Sequence, residues 1–486
     1  MCEWHGTQPA GYDAPALNTG PLHKKIHKAK DQQRYLITAA QNATAVHKPF
    51  FASLQTYCRI NEAQLIVIPY RYKNPTSIWS KVAENDDWWA PELTPFLLDR
   101  RTKLCKGLVL LADIKTQPTA SRPLTGFENI TGGDSGIIGH PKIELLTVAT
   151  PQHKMAKLLT TTGAITVPNY LPGKAGKQGE FHHSFGACVA EISEGVFHLR
   201  QVIATRDGSF QDLNWNYGGD SRTPAVVEAI VLGDIHVECV APDVVSATFT
   251  DKNSLVKTLR PKHLVFHDLH DGYARSHHHV GNPFIEFAKH KAGVNDVEKA
   301  LDETFAFVDQ HSPSACKNII VASNHNEVLA RWVREANPKA DPVNVLFWAE
   351  TFKAMMLGSA MGAGGAEILE PFAYWGERKL KCSGRTKFLK RNESLRIKGI
   401  EVGFHGDIGA GGSRGSRKGY SRIGTKTVIG HSHTPGITEG AYQCGTSSRL
   451  GLEYNNGPSS WMNTHCLIYA NGKRTLVNII KGTWRA

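Results

Sequence analysis

The sequence predicts an α/β fold that is built in two parts. Its 486 residues exceed what one ordinary hydrophobic core supports, so two domains are expected. Short apolar runs that are typical of buried strands alternate with longer segments whose apolar spacing is typical of helices. In the second half, five of these apolar runs end in polar side chains, and α/β sheets place their active sites at such strand ends.

Composition divides the chain into three segments. Residues 1–30 are rich in Pro, Gly, His and Lys and are predicted to form an extended arm. Residues 31–220 are predicted to form an N-terminal α/β domain that begins with a helical pattern over 31–60, and their side chains indicate no particular chemistry. The polar, glycine-rich stretch 214–224 is the predicted boundary, so residues 225–486 form the C-terminal domain.

Individual elements follow from the same patterns. Strands are predicted in the N-terminal domain at 64–70, 108–114, 143–148, 187–192 and 197–204. Helices are predicted in the C-terminal domain at 296–310 and 327–336. The Asn471-Gly472 dipeptide predicts a closing hairpin between 467–469 and 475–479.

Bulk properties favour a soluble protein with a polyanionic partner. The hydrophobic fraction of 41% is that of a globular chain, and a formal net charge of +12 favours nucleic acid. The nine cysteines include no Cys-x-x-Cys pair, which argues against a thiolate zinc site. No apolar run approaches the roughly 18 residues of a membrane span, and the first residues lack the pattern of a signal peptide. A cytoplasmic protein without a membrane partner is therefore expected.

The polar clusters at the predicted strand ends consist of residue types that bind metals. The apolar runs 229–232, 264–266, 319–322, 400–404 and 427–429 precede, in that order, Gly233-Asp234-Ile235-His236, His267-Asp268, Ser323-Asn324-His325, His405 and Gly430-His431-Ser432-His433. A single cluster of this kind arises by chance, but five in order predict a shared site. Mixed imidazole and oxygen ligands favour Mn, Fe or Zn over Mg or Ca.

This series of motifs resembles that of the calcineurin-like metallophosphoesterases, a family that also includes nucleases. The family pattern of Asp-x-His, Gly-Asp, Gly-Asn-His, His and Gly-His-x-His matches the clusters over roughly residues 225–481. His267 and Ser323 stand where the family has glycine, and the acidic residue of the third motif comes one place late, at Glu327. The resemblance implies that the C-terminal domain is a two-sheet α/β/β/α sandwich.

The resemblance also implies which residues carry the chemistry. Asp268 would bridge two divalent cations, for which manganese is favoured and iron or zinc are alternatives. The other ligands would be Asp234, His236 and His433 at one cation, and Asn324, His405 and His431 at the second. His325 would donate a proton to the leaving oxygen or stabilise the transition state, and its alternative role is a hydrogen bond behind a ligand.

Two basic stretches flank His405, at 378–398 and at 409–426. The second contains the predicted contacts to a DNA backbone, which are Arg414, Arg417, Lys418 and Arg422. It lacks the Gly-Lys-Ser/Thr ending of a P-loop, which argues against nucleotide cradling there. A solvated charged surface is the alternative interpretation of both stretches.

Together these features predict a two-metal phosphodiesterase that cleaves DNA with little sequence preference, because backbone contacts carry no base information. The layout also resembles that of the early DNases of T5-like bacteriophages. A phosphatase, or a phosphodiesterase of cyclic nucleotides or other small substrates, would use the same ligands. Outside the enzymes, the alternative is a nucleic-acid-binding or host-takeover module with a degenerate site. Assembly into a homo-oligomer is left open.

Overall fold

The computed structural model describes residues 32–72, 88–152, 154–362, 365–453 and 455–485. The predicted arm at 1–30 lies outside these residues. None of the helices within the described ranges is both long and apolar enough to span a bilayer.

The strands of the described residues are numbered in chain order. They are β1 (Gln32–Gln41), β2 (Gln64–Tyr70), β3 (Arg101–Cys105), β4 (Leu108–Leu111), β5 (Ser135–Ile138), β6 (Glu144–Val148), β7 (Lys157–Thr161), β8 (Gly186–Ser193), β9 (Val196–Ile203), β10 (Phe210–Asp212), β11 (Trp215–Gly218), β12 (Ser221–Pro224), β13 (Val227–Val231), β14 (His263–Phe266), β15 (Lys317–Ile320), β16 (Ala360–Gly362), β17 (Gly365–Glu367), β18 (Thr386–Phe388), β19 (Arg396–Ile397), β20 (Ile400–Glu401), β21 (Lys426–Ile429), β22 (Gly436–Thr438), β23 (Ala441–Gln443), β24 (Thr464–Tyr469) and β25 (Arg474–Asn478).

The α-helices of the same residues are numbered likewise. They are α1 (Lys48–Asn61), α2 (Lys174–His182), α3 (Pro242–Val245), α4 (Leu255–Leu259), α5 (Pro283–Ala292), α6 (Val297–His311), α7 (Val328–Glu335), α8 (Val345–Gly358), α9 (Pro371–Lys379) and α10 (Arg417–Tyr420).

The first part of the chain opens with a βαβ unit. Strands β1 and β2 are parallel, and α1 connects them within a four-stranded sheet of order β2-β1-β8-β9. His47 caps the start of this helix, because its Nδ1 accepts a hydrogen bond from the N–H of Phe50, and the helix buries Leu54 and Tyr57. A side-chain acceptor at this position satisfies a backbone donor that the first helical turn leaves free.

Two larger sheets form the centre of the molecule. The six-stranded sheet has the order β18-β15-β14-β13-β24-β25, and the ten-stranded sheet has the order β19-β20-β21-β23-β22-β6-β7-β5-β4-β3. In the first of these, β13, β14, β15 and β18 run parallel to one another. Their carboxyl ends therefore meet at one edge of the sheet, where the polar clusters follow.

Alternating side chains along the strands supply two cores. Val231 and Val265 of the six-stranded sheet belong to a buried cluster that includes Val428 and Tyr442 of the ten-stranded sheet. Ile230, the neighbour of Val231, belongs to a second cluster that joins the sheet to the helices. Because successive strand residues point to opposite faces, helices cover one face of the six-stranded sheet and the ten-stranded sheet covers the other.

The predicted α/β class is confirmed, and so are most of the predicted elements. Strand β2 has the predicted bounds, helices α6 and α7 agree with the prediction within a residue, and the closing hairpin is β24–β25. The helical pattern predicted over 31–60 is wrong in its first third, which forms β1. Residues 35–40 of β1 are buried throughout, and a continuous apolar run of this kind has no periodicity that separates strand from helix.

The ten-stranded sheet crosses the predicted domain boundary. Strand β6 from the N-terminal part pairs antiparallel with β22 from the C-terminal part, with Leu145 opposite Ile437. Thr147 also donates a hydrogen bond of 2.6 Å to the carbonyl of Pro435. The ten-stranded sheet therefore continues across the boundary at 214–224. The division into two folding units stays a prediction. The α/β/β/α sandwich of the metallophosphoesterase type also stays a prediction.

Candidate metal centre

The first three clusters follow parallel strands that are in register. Val231 of β13 pairs with Val265 of β14, and Asp234 and Asp268 each lie three residues beyond these partners. The ladder continues past the strands, because the N–H of His236 donates to the carbonyl of Asp268 at 2.8 Å. Equal offsets from paired residues place the two carboxylates side by side.

The other clusters reach the same place from the second sheet. Glu401 of β20 pairs in parallel with Thr427 of β21, and His405 and His431 each lie four residues farther along. The N–H of Gly430 donates to the carbonyl of His405 at 2.8 Å. The carboxyl ends of parallel strands in both sheets therefore deliver side chains to one site.

Six of the seven predicted ligands converge in two overlapping groups. Potential ligand atoms of the first group lie within 4.8 Å of one another, and the group comprises Asp234, His236, Asp268 and His433. The second group meets the same criterion and comprises Asp268, His405 and His431. Asp268 is common to both groups, which is the position a carboxylate bridging two cations would occupy.

Individual distances show how closely these atoms approach. The His405 Nε2 lies 3.0 Å from an Asp268 carboxylate oxygen, and the His433 Nε2 lies 3.2 Å from an Asp234 oxygen. The Nε2 atoms of His236 and His433 are 3.0 Å apart. All five side chains are buried, so these atoms share a compact interior space.

Several buried polar atoms in this space make no well-aligned hydrogen bond within the described part of the chain, although some of them lie close to the side chains named above. They are both carboxylate oxygens of Asp234, Oδ1 of Asp268, Oδ1 of Asn324 and Nε2 of His405. Buried polar groups are normally satisfied, and unsatisfied carboxylates are especially costly. Oxygen acceptors and an imidazole nitrogen without well-aligned hydrogen bonds fit divalent transition-metal cations. Asn324, whose Oδ1 is among them, is the seventh predicted ligand.

Neighbouring histidines compensate the negative charge of the buried carboxylates. Burial opposes ionisation of Asp268, but His405, His325 and His236 lower its pKa well below the usual value. Burial also opposes a charge on His236, yet the hydrogen bond that its ring donates to Asp271 and the nearby carboxylates raise the pKa of His236 to about 9. The site thus attracts positive charge, which is what a pair of cations would supply.

Asp271 holds two of the histidines in place. Its Oδ1 lies 2.9 Å from Nδ1 of His236, which directs Nε2 of that ring toward the ligand group. Its backbone carbonyl lies 2.9 Å from Nδ1 of His325, and its Oδ1 lies 3.6 Å from the same atom. Asp271 lies three residues after Asp268 in the sequence, and this spacing is the signal that could have indicated it. His270 lies apart, in a buried ion pair with Glu238.

His267 belongs to the second polar cluster, but it was not among the predicted ligands. Its Nδ1 lies 3.3 Å from Nδ1 of His405, and it forms a further candidate group with Asp234 and His405. Burial, together with His405, lowers the pKa of His267 to about 4, so its ring is neutral. The only signal in the sequence was that His267 stands where the family has glycine. That replacement did not indicate where the side chain would point.

The backbone is strained at four of the converging residues. The φ angles of His236, Asp268, His431 and His433 are 48°, 41°, 74° and 56°. Side chains other than glycine rarely adopt this left-handed region, and such strain concentrates at functional sites. The surrounding structure therefore gives up stability to aim these four side chains inward.

The predicted DNA contacts do not form one group. Arg414, Lys418 and Arg422 are exposed on the loop between His405 and His431. Arg417 instead donates hydrogen bonds to Thr438 and Gln443, and burial lowers the pKa of its guanidinium. Arg417 thus fastens α10 to the sheet in this structure, which leaves three exposed cations for a DNA backbone.

The basic stretch 378–398 is largely engaged within the protein. Lys379 pairs with Glu298 and Asp302, and Arg385 donates to three backbone carbonyls as well as to Ser312. Arg391 contacts both Glu327 and Asp407. These contacts favour the interpretation of this stretch as a structural charged surface.

Gly430 lies against the first carboxylate, and a larger residue there should disturb metal binding. A Cβ atom at Gly430 would lie 2.2 Å from Oδ1 of Asp234 and 3.2 Å from the His267 Cβ. We expect Gly430→Ala to weaken manganese affinity about 10- to 100-fold, the usual effect of displacing a ligand's support. Calorimetric titration with Mn²⁺ measures this. Gly440→Ala is the matched control, because its Cβ would meet nothing closer than 3.7 Å. Equal affinity in the two variants would contradict the arrangement.

Comparison with known proteins identifies a relative. The chain is 32% identical over 471 residues to Protein A1 of Escherichia phage T5, and the match covers 94% of this chain and 84% of the relative. No protein-family model matches the chain, and no solved structure matches it. The metallophosphoesterase resemblance thus rests on the motifs and their geometry alone. Identity of this extent over nearly the whole chain shows that the protein belongs to the family of phage T5 Protein A1.

Proposed function

We propose that this protein is a metal-dependent phosphodiesterase that cleaves DNA with little sequence preference. The observation that carries the proposal is the pair of overlapping ligand groups that share the buried Asp268. Relatedness to a protein of phage T5 is compatible with an enzyme that acts on DNA in the host cytoplasm.

Two cations would be held by the residues described above. Asp234, His236 and His433 form one group with Asp268, and His405 and His431 form another with the same carboxylate, and Asn324 is the proposed seventh ligand. When bound, the cations would activate water, hold phosphate oxygens and neutralise charge that develops in the transition state. Manganese is favoured because the ligands mix imidazole with oxygen, and iron or zinc would suit the same set.

The surroundings of His325 support a direct role of this side chain in catalysis. Its side chain is 27% exposed, unlike the fully buried ring of His236, against which it packs edge to face at 4.6 Å. A carbonyl only accepts hydrogen bonds, so Nδ1 of His325 carries a proton toward Asp271, and Nε2 is left for the substrate. A protonated imidazole in this position can transfer its Nε2 proton to the leaving oxygen.

A cleft of about 750 Å³ opens beside His325. Its walls include Asn324, the histidine triplet 277–279, Arg331 and Arg334. Ligand sites of nucleotide size commonly have volumes of about 300 to 1,000 Å³. Imidazole rings and guanidinium groups stack on bases, and the guanidinium groups also attract phosphate, so this cleft supports a nucleic-acid substrate.

Plasmid and linear DNA, incubated with each divalent cation or with EDTA, test the proposal. We expect degradation with Mn²⁺, none with EDTA, and a steep loss of cleavage as salt rises, because phosphate contacts release counterions. Turnover of p-nitrophenyl phosphate esters that exceeds DNA cleavage and ignores salt would identify a small-substrate phosphoesterase. Intact plasmid that is nevertheless bound in Mn²⁺ would identify a binding module instead.

The exposed loop cations should account for part of the salt dependence. We expect replacement of Arg414, Lys418 and Arg422 together with serine to weaken DNA binding and flatten the salt slope. Each lost phosphate contact removes about 0.9 from the slope of log affinity against log salt. Fluorescence anisotropy with a labelled duplex at several salt concentrations measures it.

A matched variant separates this effect from net charge. Three exposed lysines elsewhere on the surface can be replaced with serine, namely Lys252, Lys317 and Lys339. We expect the slope of that variant to stay near the wild-type value. Equal slopes for the two triple variants would remove the loop from the proposed interface.

A further inference from the structure

Helix α8 has an apolar face that the rest of the described chain does not cover. Its buried side packs Phe347, Thr351 and Met355 into the helical core. On the opposite side Leu346 and Leu357 are each 78% exposed, and Met356 is 66% exposed. A surface helix normally has a polar outer face, and large exposed apolar residues in contiguity mark an interaction site.

Two charged residues lie within this outer face. Glu350 and Lys353 are exposed, and neither forms an ion pair within the described part of the chain. At 3.6 residues per turn, positions 346, 350, 353 and 357 fall on one stripe of the helix. The stripe therefore reads apolar, acidic, basic, apolar along its length.

This order is self-complementary about a point midway between residues 351 and 352. If a second copy of α8 lies antiparallel across a two-fold axis at that point, Leu346 faces Leu357 of the other copy at both ends. In the same arrangement Glu350 faces Lys353 of the other copy, twice. A parallel copy would instead oppose like charges. Isologous interfaces have this reciprocal form, in which residue i contacts j and j contacts i.

We propose that this face of α8 is the contact between two copies of this chain, packed antiparallel about a two-fold axis. The hairpin β16–β17, which follows α8 directly, adds Met361 at 82% exposure beside the helix end. A two-stranded hairpin alone is marginally stable in water, and a partner surface would support it. The inference is independent of the proposed nuclease activity.

Charge reversal tests the pairing in the full-length chain. Light scattering after size exclusion, and sedimentation velocity over a range of micromolar concentrations, measure the association. We expect the wild type to associate in multiples of two. Residues 350 and 353 of two copies meet in the proposed contact, so Glu350→Lys places four positive charges there and Lys353→Glu places four negative ones. Each variant should therefore weaken association at least tenfold. The double reversal E350K/K353E should restore it, and so should mixing the two single variants.

Controls separate this result from misfolding and from general charge effects. Lys299→Glu on the exposed side of α6 changes charge by the same amount and should leave association unaltered. Circular dichroism and Tm should match the wild type in every variant, because the substituted side chains are exposed. A monomeric wild type, single reversals that leave association intact, or a double reversal that fails to restore it would each overturn the proposal. A monomer that binds lipid vesicles would do so as well.

Discussion

Asp268→Ala is expected to lose both cations and nearly all phosphodiesterase activity. Asp268 is the one side chain that belongs to both ligand groups, so its removal deprives each site of an anionic oxygen at once. Stabilisation of the transition state by such cations amounts to several kcal/mol, and each 1.4 kcal/mol is tenfold in rate. We therefore expect turnover to fall about 10³-fold or more.

Metal content and thermal stability provide readouts besides activity. In the wild type, Mn²⁺ should raise Tm, because a ligand that binds only the folded state stabilises it by mass action. The alanine variant should show no such rise, and its Tm without metal should lie below the wild-type value, because the lowered pKa of Asp268 means that its ionised form stabilises the fold. Asp99 is an exposed carboxylate that is distant from Asp268 in the sequence, so Asp99→Ala is the control that should keep the metal-dependent rise in Tm. Two equivalents of bound Mn²⁺ in the Asp268 variant would disprove the bridging role.

The strand-end motifs were predictable because each is a local pattern. An apolar run followed at once by metal-binding residues needs no knowledge of distant parts of the chain, and parallel pairing then brings the ends together. Asp234 and Asp268 lie at equal offsets from paired valines, so register alone makes them neighbours. Their placement follows from two short segments and one rule of sheet geometry.

Contacts between residues that are far apart in the sequence could not be predicted. The exposed or buried state of Arg417 is decided by Thr438 and Gln443, which reach it only after β22 and β23 have formed. Likewise, the pairing of β6 with β22 joins segments almost three hundred residues apart. His267 could be seen as an unusual residue, but its contact with His405 required both sheets. Charge runs and domain boundaries are therefore weaker guides than strand-end motifs in this chain.

His325→Ala is expected to keep both cations and still lose turnover of DNA about 10²-fold or more, the usual scale for a general acid. The side chain lies outside the two metal groups that contain Asp268, and it borders the cleft rather than the buried ligand space. Manganese titration should therefore give near wild-type stoichiometry. His290→Ala, an exposed histidine at the end of α5, is the matched control with unchanged turnover.

The leaving group distinguishes a proton donor from a residue that only supports the site. The alkoxide expelled from DNA needs a proton, whereas p-nitrophenolate is stable without one. If His325 donates that proton, the alanine variant should lose far more activity on DNA than on bis-p-nitrophenyl phosphate. If His325 only orients Asp271 and, through Asp271, His236, turnover of both substrates should fall by a similar factor. The affinity for the metal should then fall as well. Comparable losses on the two substrates would thus assign His325 to positioning, and an unequal loss with intact metal content would assign it to catalysis.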